Sequence, residues 1–384
     1  MKKKIAYIIN HSAFFYSHIM EVALNARKNN YQIKLFCGKA SSRKMDEFAK
    51  KKIKQNKITI VQNRSESSSI DIFNEFIGLK ETIKSIKKYK PDIIHCASPK
   101  GIFFGVLTSK ILKIKSIVIF NSGMGFLFSN KSNFLFSIIK YIYIFILKRL
   151  VIKHENKTIV VENKDDYFFL KKKYELKLKE IKLIKGSGVD LSKYDYIKKN
   201  KSKNVLLPAR VIKEKGIEEF ISASLSLKKK YPKWNFIVAG ALDYKKQSTL
   251  KLSRIKKLNK GNVVKFLGYV KNMRKIYNNC SIVCLPSYRE GFSRTLQEAA
   301  AKGLPIVTTN VIGCKDAIIP KVTGLLCKPK DALSLEKQLS KLISDKSKRE
   351  FFGFNGRKLA ENQFSLQNVL ASNLNIYNFL IKNK

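Results

Sequence analysis

Acid is scarce in this chain. Asp and Glu number 28 against 77 Lys and Arg, a formal net charge of +49 over 384 residues. That balance excludes an acidic, solvating chain and points to anionic partners: phosphates, anionic lipid or nucleic acid. Part of the excess is compositional, since Lys, Ile and Asn abound while Ala and Arg are scarce, as A- and T-rich codons produce. Cysteine is also sparse. Cys37, Cys96, Cys280, Cys284, Cys314 and Cys327 form no CxxC pair and no zinc spacing, and apolar settings such as "SIVCLP" predict buried, reduced thiols. Missing too is any unbroken apolar run of the ~20 residues that a membrane span needs. "MKKKIAYIIN" is basic and then apolar, but too briefly for a signal peptide; it reads as a first buried strand, and the expected location is the cytoplasm. No internal repeat or low-complexity segment is visible beyond the lysine bias.

What is present is a globular chain. A hydrophobic content of 45 % argues against disorder, and the length predicts two domains of similar size. In the first half, "KIAYIIN", "QIKLFCG", "ITIVQ", "PDIIHCA", "SIVIFNS" and "KTIVVEN" read as buried strands. Helix-length segments such as "FNEFIGLKETIKSIKKYK" separate them. Alternation of this kind predicts parallel βαβ units. "IKLIKGSGVDLSKYDYIKKNKSKN" breaks the rhythm and places a linker at 186–203. The second half repeats the pattern with "NVLLPAR", "WNFIVAG", "VVKFLGYV", "SIVCLPS", "LPIVTTN" and "TGLLCKP", then turns helical. The expected architecture is two doubly wound Rossmann-like domains facing a cleft, 1–185 and 204–365. A last helix, 366–384, is expected to pack back on the first domain. The stretch 132–153, "SNFLFSIIKYIYIFILKRLVIK", is interrupted by Lys140 and interleaves aromatics with lysines. It reads either as a buried helix at a domain face or as a helix lying in a membrane interface.

The chemistry concentrates in "SYREGFSRTLQEAAAKGLPIVTT". Here "YREGF" follows a strand, Ser293 stands at a helix N-cap, and Lys302, Gly303 and Pro305 form the stop. The free N–H groups of Arg294, Thr295 and Leu296 then make a ready anion site. Glu290 lies in the loop and Glu298 more than a turn into the helix. A carboxylate beside an anion site repels its ligand unless it reads hydroxyl donors, so the pair suits a sugar nucleotide. A capping acid plus a surface acid is the bland alternative. "LLPARVIKEKGIEEF" ends a strand at Arg210, able to clasp a diphosphate, and offers Lys215 just before a helix. In "IKGSGVD", Gly186, Ser187 and Gly188 let backbone approach a ligand.

Taken together, "PSYREGFSRTLQEAAAKGLPIV" resembles the Glu-x7-Glu motif of family-4 glycosyltransferases, retaining enzymes of the two-domain GT-B type. "LLPARVIKEKGIEEF" resembles their Arg…Lys-Gly diphosphate motif and "IKGSGVDLSKY" their interdomain loop. "PDIIHCASPKG" and "NSGMGFLF" resemble acceptor-domain loops. The likeness spans nearly the whole chain and is nearest to bacterial enzymes that build surface glycans on polyprenyl diphosphate lipids. It implies that Glu290, with Gly291 and Phe292, holds the donor sugar and that Glu298 holds the ribose. Arg210, Lys215 and the amides of Thr295 and Leu296 would stabilise the departing nucleotide diphosphate, with Gly188 at the crossing point. Retention without a dedicated base, a UDP-linked donor and no metal or other cofactor follow from the same likeness. The first domain departs from the pattern: "NHSAFFYSH" lacks the Gly-Gly pair of many members, and "FNSGMGF" lacks a frequent His.

For the acceptor, His11, His18, His95, Lys100 and Gly123 are the candidates, with His95 and Lys100 facing an acceptor phosphate; His154 reads as solvated. Expected partners are a nucleotide sugar, a lipid-linked glycan and an anionic membrane surface approached from the cytoplasm. Two rivals stand beside this. One is a nucleotide-sugar epimerase on the same plan. The other is a basic nucleic-acid binder, which the dispersed lysines and absent RNA-binding motifs disfavour, so no nucleic acid is expected.

Overall fold

The computed structural model describes residues 2–67, 71–122, 154–197, 202–242 and 249–383, together with Ile138, Tyr141 and Phe145. Two compact units divide the chain. One comprises Met1–Ser187 with Val369–Lys384, the other Gly188–Asn368.

The first unit is built on a seven-stranded sheet: β1 (Lys4–His11), β2 (Gln32–Lys39), β3 (Thr59–Glu66), β4 (Ile93–Ala97), β5 (Ser116–Asn121), β6 (Asn156–Val161) and β7 (Ile181–Leu183). The spatial order is β3-β2-β1-β4-β5-β6-β7, and every pairing is parallel. Parallel strands need crossovers, and the described ones are helices: α1 (Met20–Lys28), α2 (Arg43–Gln55), α3 (Ile72–Tyr89), α4 (Pro99–Ile111) and α5 (Lys164–Tyr174). The apolar runs are continuous because both sheet faces are covered. Ile5, Tyr7, Ile9, Val118, Phe120 and Val160 look towards one core. Ala6, Ile8, Ile94, Cys96, Ile117 and Ile119 look towards the other. Side chains fix the helix starts: Asp71 Oδ1 accepts from the Phe73 and Asn74 amides, and Asn163 Oδ1 from the Asp166 amide.

The final helix, Leu366–Lys382, supplies Val369, Ile376, Tyr377 and Leu380 to the first of these cores. Polar contacts fix it there. The Tyr377 hydroxyl lies 2.7 Å from His95 Nδ1 and 3.2 Å from the Tyr7 hydroxyl, while Tyr31 donates to Asn378 Oδ1 at 2.7 Å.

The second unit carries β8 (Asn204–Leu207), β9 (Asn235–Val238), β10 (Val264–Phe266), β11 (Ile282–Leu285), β12 (Ile306–Thr309) and β13 (Gly324–Cys327). These are parallel in the order β10-β9-β8-β11-β12-β13. Its helices are α6 (Ile217–Lys230), α7 (Leu252–Leu258), α8 (Met273–Asn278), α9 (Arg294–Ala301), α10 (Ala332–Ser344) and α11 (Lys346–Leu359). Gly188–Val189 enters this unit beside the segment that leaves it: the Val189 amide donates to Phe364 O and the Leu366 amide to Val189 O.

Two doubly wound parallel sheets and a helical C-terminal part are thus present. One element differs from the sequence reading. Ile181–Leu183, at the head of the stretch that breaks the strand rhythm, is an edge strand paired to β6 through Ile159 and Ile181. Three residues with a lysine between two apolars carry too little period to announce a strand. All six cysteines are free and buried. Among the described residues no helix is long and apolar enough to cross a membrane. The stretch 132–153 lies outside the described residues apart from Ile138, Tyr141 and Phe145, which are helical and exposed.

Candidate functional site

In an open parallel sheet the strand order reverses at one point, and the loops on either side diverge to leave a crevice at the carboxyl ends. In the second unit that point lies between β8 and β11. Arg210 and Lys215 follow β8; Glu290 follows β11. The sequence therefore delivers both cations and one acid to a single crevice.

Backbone contacts stitch the two loops together. The Tyr288 amide donates to Glu214 O at 2.9 Å, and the Tyr288 hydroxyl to Glu219 Oε1 at 2.7 Å. Lys215 Nζ donates to Glu290 Oε1, and Ser287 Oγ donates to the same oxygen at 2.7 Å. Both members of this ion pair are only partly exposed. Lys215 can hold Glu290 and still present N–H groups to a phosphate, since an ammonium has three donors. Arg210 is exposed on the loop after β8.

Glycines bring this backbone together. Gly216 has φ +70°, and a Cβ there would lie 2.2 Å from Pro286 O. Gly313, at φ +76°, touches the carbonyls of Glu290 and Gly291 in the same way. Burial and the neighbouring Glu290 push the Cys314 thiol up to about 12, so it is inert beneath the site.

Helix α9 begins at the same edge. Ser293 is its N-cap in extended geometry, but its hydroxyl pairs with Thr295 Oγ1 at 3.0 Å and not with the helix amides. Glu298 is buried. Tyr277 donates to its Oε2 at 3.2 Å, and Arg294 Nε donates to its Oε1 at 3.1 Å. Burial and then the Glu298 charge raise the pKa of Tyr277, and the same two causes act in the same order on Tyr194. Both phenols therefore stay protonated. Glu298 borders a cavity of about 500 Å³ with Tyr194, Lys271, Asn272, Met273 and Arg274. Gly188 is buried at φ +77° where the chain enters this unit. The crevice thus holds cations, helix amides and hydrogen-bonded carboxylates, the set that binds phosphates and hydroxyls together.

Some other expectations are corrected. Phe292 is buried, its ring 5.4 Å from that of Phe364; Leu296, expected to act through its amide, keeps its side chain in the core. In the first unit, His95 is fully buried on β4 and bonded to Tyr377, and burial pushes its pKa down to about 3. It cannot meet a phosphate. Lys100 is engaged by Glu75 Oε1 and Glu66 O, both at 2.6 Å. His154 is not solvated; it is buried, lies 3.1 Å from Ile114 O, and burial lowers its pKa to about 4. His11 is partly exposed but uses Nδ1 to accept the Phe14 amide, and burial lowers its pKa. His18 lies partly exposed against Ser17 Oγ and stacked on Phe14. Gly123 lies outside the described residues.

Sequence reasoning missed Ser287, Tyr277, Tyr194, Arg274 and Gly313. Ser287 sits inside the quoted motif and could have been found there. The others reach the site through tertiary packing alone.

Comparison with known proteins gives the family. Residues 190–359 match the family described as "Glycosyl transferases group 1", and residues 4–154 match "Glycosyl transferase 4-like". The chain is 31 % identical over 336 residues to the N,N'-diacetylbacillosaminyl-diphospho-undecaprenol alpha-1,3-N-acetylgalactosaminyltransferase of Campylobacter jejuni, covering 81 % of this chain and 84 % of that one. It is 26 % identical over 325 residues to the capsular polysaccharide biosynthesis glycosyltransferase CapM of Staphylococcus aureus, covering 82 % and 83 %. Among solved structures, a glycosyltransferase from Rickettsia africae superposes with a TM-score of 0.78 over the whole of both chains at 20 % identity. The Anabaena protein HepE, crystallised with UDP and glucose, gives 0.75 at 17 % identity over 96 % of this chain and 98 % of that one. The chain belongs to the group 1, family-4-type glycosyltransferases with the GT-B fold.

Proposed function

We propose that this glycosyltransferase moves a hexose or N-acetylhexosamine from a UDP-sugar to a polyprenyl diphosphate-linked glycan, with retention at the anomeric carbon, in bacterial surface-glycan assembly at the cytoplasmic side of the membrane. The observation that carries the reading is the joint placement of Arg210, Lys215 and the Ser287-held Glu290 at the switch point of the second sheet. The acceptor class is supported by the Campylobacter relative, whose name specifies a diphospho-undecaprenol acceptor. The nucleotide is supported by the UDP in the Anabaena structure.

On this reading Arg210, Lys215 and the α9 amides bind the diphosphate and gain strength as charge develops on it. That differential lowers the barrier while an oxocarbenium-like sugar forms. Glu290, oriented by Lys215 and Ser287, accepts from the sugar hydroxyls. Glu298, held by Tyr277 and Arg294, accepts from the ribose beside its cavity. Cationic side chains take the place of a metal ion.

The test is transfer from a panel of UDP-sugars to short-chain polyprenyl diphosphate-linked mono- and disaccharides, with product anomericity read by NMR. Arg210→Ala and Glu290→Ala should each lower kcat/KM by roughly 10²-fold, about 3 kcal/mol, with unchanged melting temperature. Chelator should leave the rate unchanged. Wild-type turnover in either variant would remove that residue from the site, strict metal dependence would contradict the cation argument, and donor consumed without acceptor would indicate epimerisation.

A further inference from the structure

We propose that the groove between the edge strand β7 and the final helix of the first unit binds a small amphiphilic anion, a carboxylate or phosphate carried on an apolar chain. The sheet ends at β7, which is three residues long. The final helix buries Val369, Ile376, Tyr377 and Leu380 and is bonded towards strands further in. Tyr377 meets His95 on β4, and Leu380 O accepts from Ser116 Oγ of β5 and Asn156 Nδ2 of β6. Its flank at Ser372, Asn375 and Phe379, a stripe at helical spacing, borders a cavity of about 380 Å³ whose other wall is β7 and the segment around it. Leu183, Ile184, Ile376 and Phe379 make that cavity apolar along its length. The volume lies in the range of small-ligand sites, which pair apolar walls with a few convergent polar groups.

The polar groups select the ligand's head. Alternation along β6 puts Thr158 on the face of Val160, which belongs to the core beneath the final helix, and Lys182 of β7 is the register partner of Val160. Thr158 and Lys182 therefore stand on the helix side of the sheet. Both line the cavity, as does Lys179. Thr158 is 1 % exposed, and its hydroxyl has no hydrogen-bond partner among the described residues, an orphan that a ligand oxygen would satisfy. Lys179 and Lys182 are exposed and form no ion pair among the described residues, and no acid lines the cavity. Glu180, next in sequence, is held by Lys157 Nζ at 2.7 Å and by the Lys177 amide at 2.8 Å. Two ammonium groups and one spare donor beside apolar walls favour an anion with an apolar body over a cation or a bare hydrocarbon. A fatty acid and an isoprenoid monophosphate share that chemistry, and the test separates them. All the lining residues belong to the first unit and none is assigned to the nucleotide-sugar site, so the inference stands apart from the transferase reading.

The full-length protein is titrated calorimetrically with decanoate and with geranyl phosphate, each below its micellar concentration. One saturable site per chain is expected for at least one of them, and the tighter arm identifies the head. From hexanoate to octanoate, affinity should rise about fourfold per methylene. Inorganic phosphate and decyltrimethylammonium should not compete. Ser372→Trp, which fills the groove from the exposed flank of the helix, should weaken binding roughly tenfold or more, and Lys179→Glu with Lys182→Glu should do the same. These three positions are exposed, so equal melting temperatures are expected and checked. Thr158→Val keeps the shape without the hydroxyl; it should weaken binding while the melting temperature holds or rises, whereas a purely structural threonine would leave binding unchanged. Arg210→Ala should bind as the wild type does. No saturable binding of either probe, or binding that survives the groove variants, overturns the proposal. Equal binding of the cationic amphiphile, or of phosphate without a chain, overturns it as well.

Discussion

Glu162, just past β6, shows what burial does to a single acid. It is 4 % exposed, and desolvation, with Asp166 adding repulsion, raises its pKa to about 8. A carboxyl raised in the folded state binds its proton more tightly there than in the unfolded chain. Its contribution to stability is therefore full below the usual carboxylate range and is lost as pH climbs from about 4.5 to about 8. Glu162→Gln keeps the neutral shape without the titration. We expect equal melting temperatures for variant and wild type near the acid end of that window and a more stable variant at its alkaline end; parallel melting curves across the range would refute this. The residue scale is also where sequence was least informative. The placement of Arg210, Lys215 and Glu290 after strands and of Glu298 inside a helix was legible, because a strand–loop–helix pattern limits where such residues stand. His95 could not be assigned, because the group that occupies it, Tyr377, lies 282 residues away. Exposure, which separates a ligand contact from a packed ring, is a property of the whole core.

At the scale of elements, the strands were legible wherever β-branched and aromatic residues ran unbroken. Such runs mean that both faces of a parallel sheet are covered, as β1 through β6 and β8 through β13 show. β7 escaped, being three residues long and at an edge. Loop geometry was less accessible, since it depends on what each loop touches. The turn carrying Lys215 illustrates this. Gly216 holds φ +70° with no space for a side chain against Pro286 O. Gly216→Ala must strain the backbone or displace the β11 loop that carries Glu290. A stability loss on the order of 1–3 kcal/mol in urea titration is expected, together with weaker UDP binding by calorimetry. Unchanged UDP affinity in a folded variant would show that the two loops are not coupled.

Over the whole molecule, two parallel sheets followed from the alternation of strands and helices, and the last helix was expected to pack back on the first domain, but the strand orders were not legible. Among described residues the first unit is assembled from 2–187 and from 369 onwards, with the entire second unit between them in sequence. Val369, Ile376, Tyr377 and Leu380 complete a core otherwise formed by residues before 185. A fragment comprising residues 1–187 is therefore expected to be aggregation-prone alone and to recover cooperative unfolding when a peptide of residues 366–384 is added. A fragment that melts cooperatively without the peptide would contradict this.

The same routing has a consequence during translation. As the ribosome extrudes the chain, the opening half emerges with one flank of its interior still bare, and it stays so while about two hundred further residues are polymerised. At elongation rates of about 5–20 residues per second that wait lasts on the order of ten seconds or more, long compared with hydrophobic collapse. The nascent protein is thus an early client for holding chaperones, and its maturation ends only when the last synthesised turns seal what was made first.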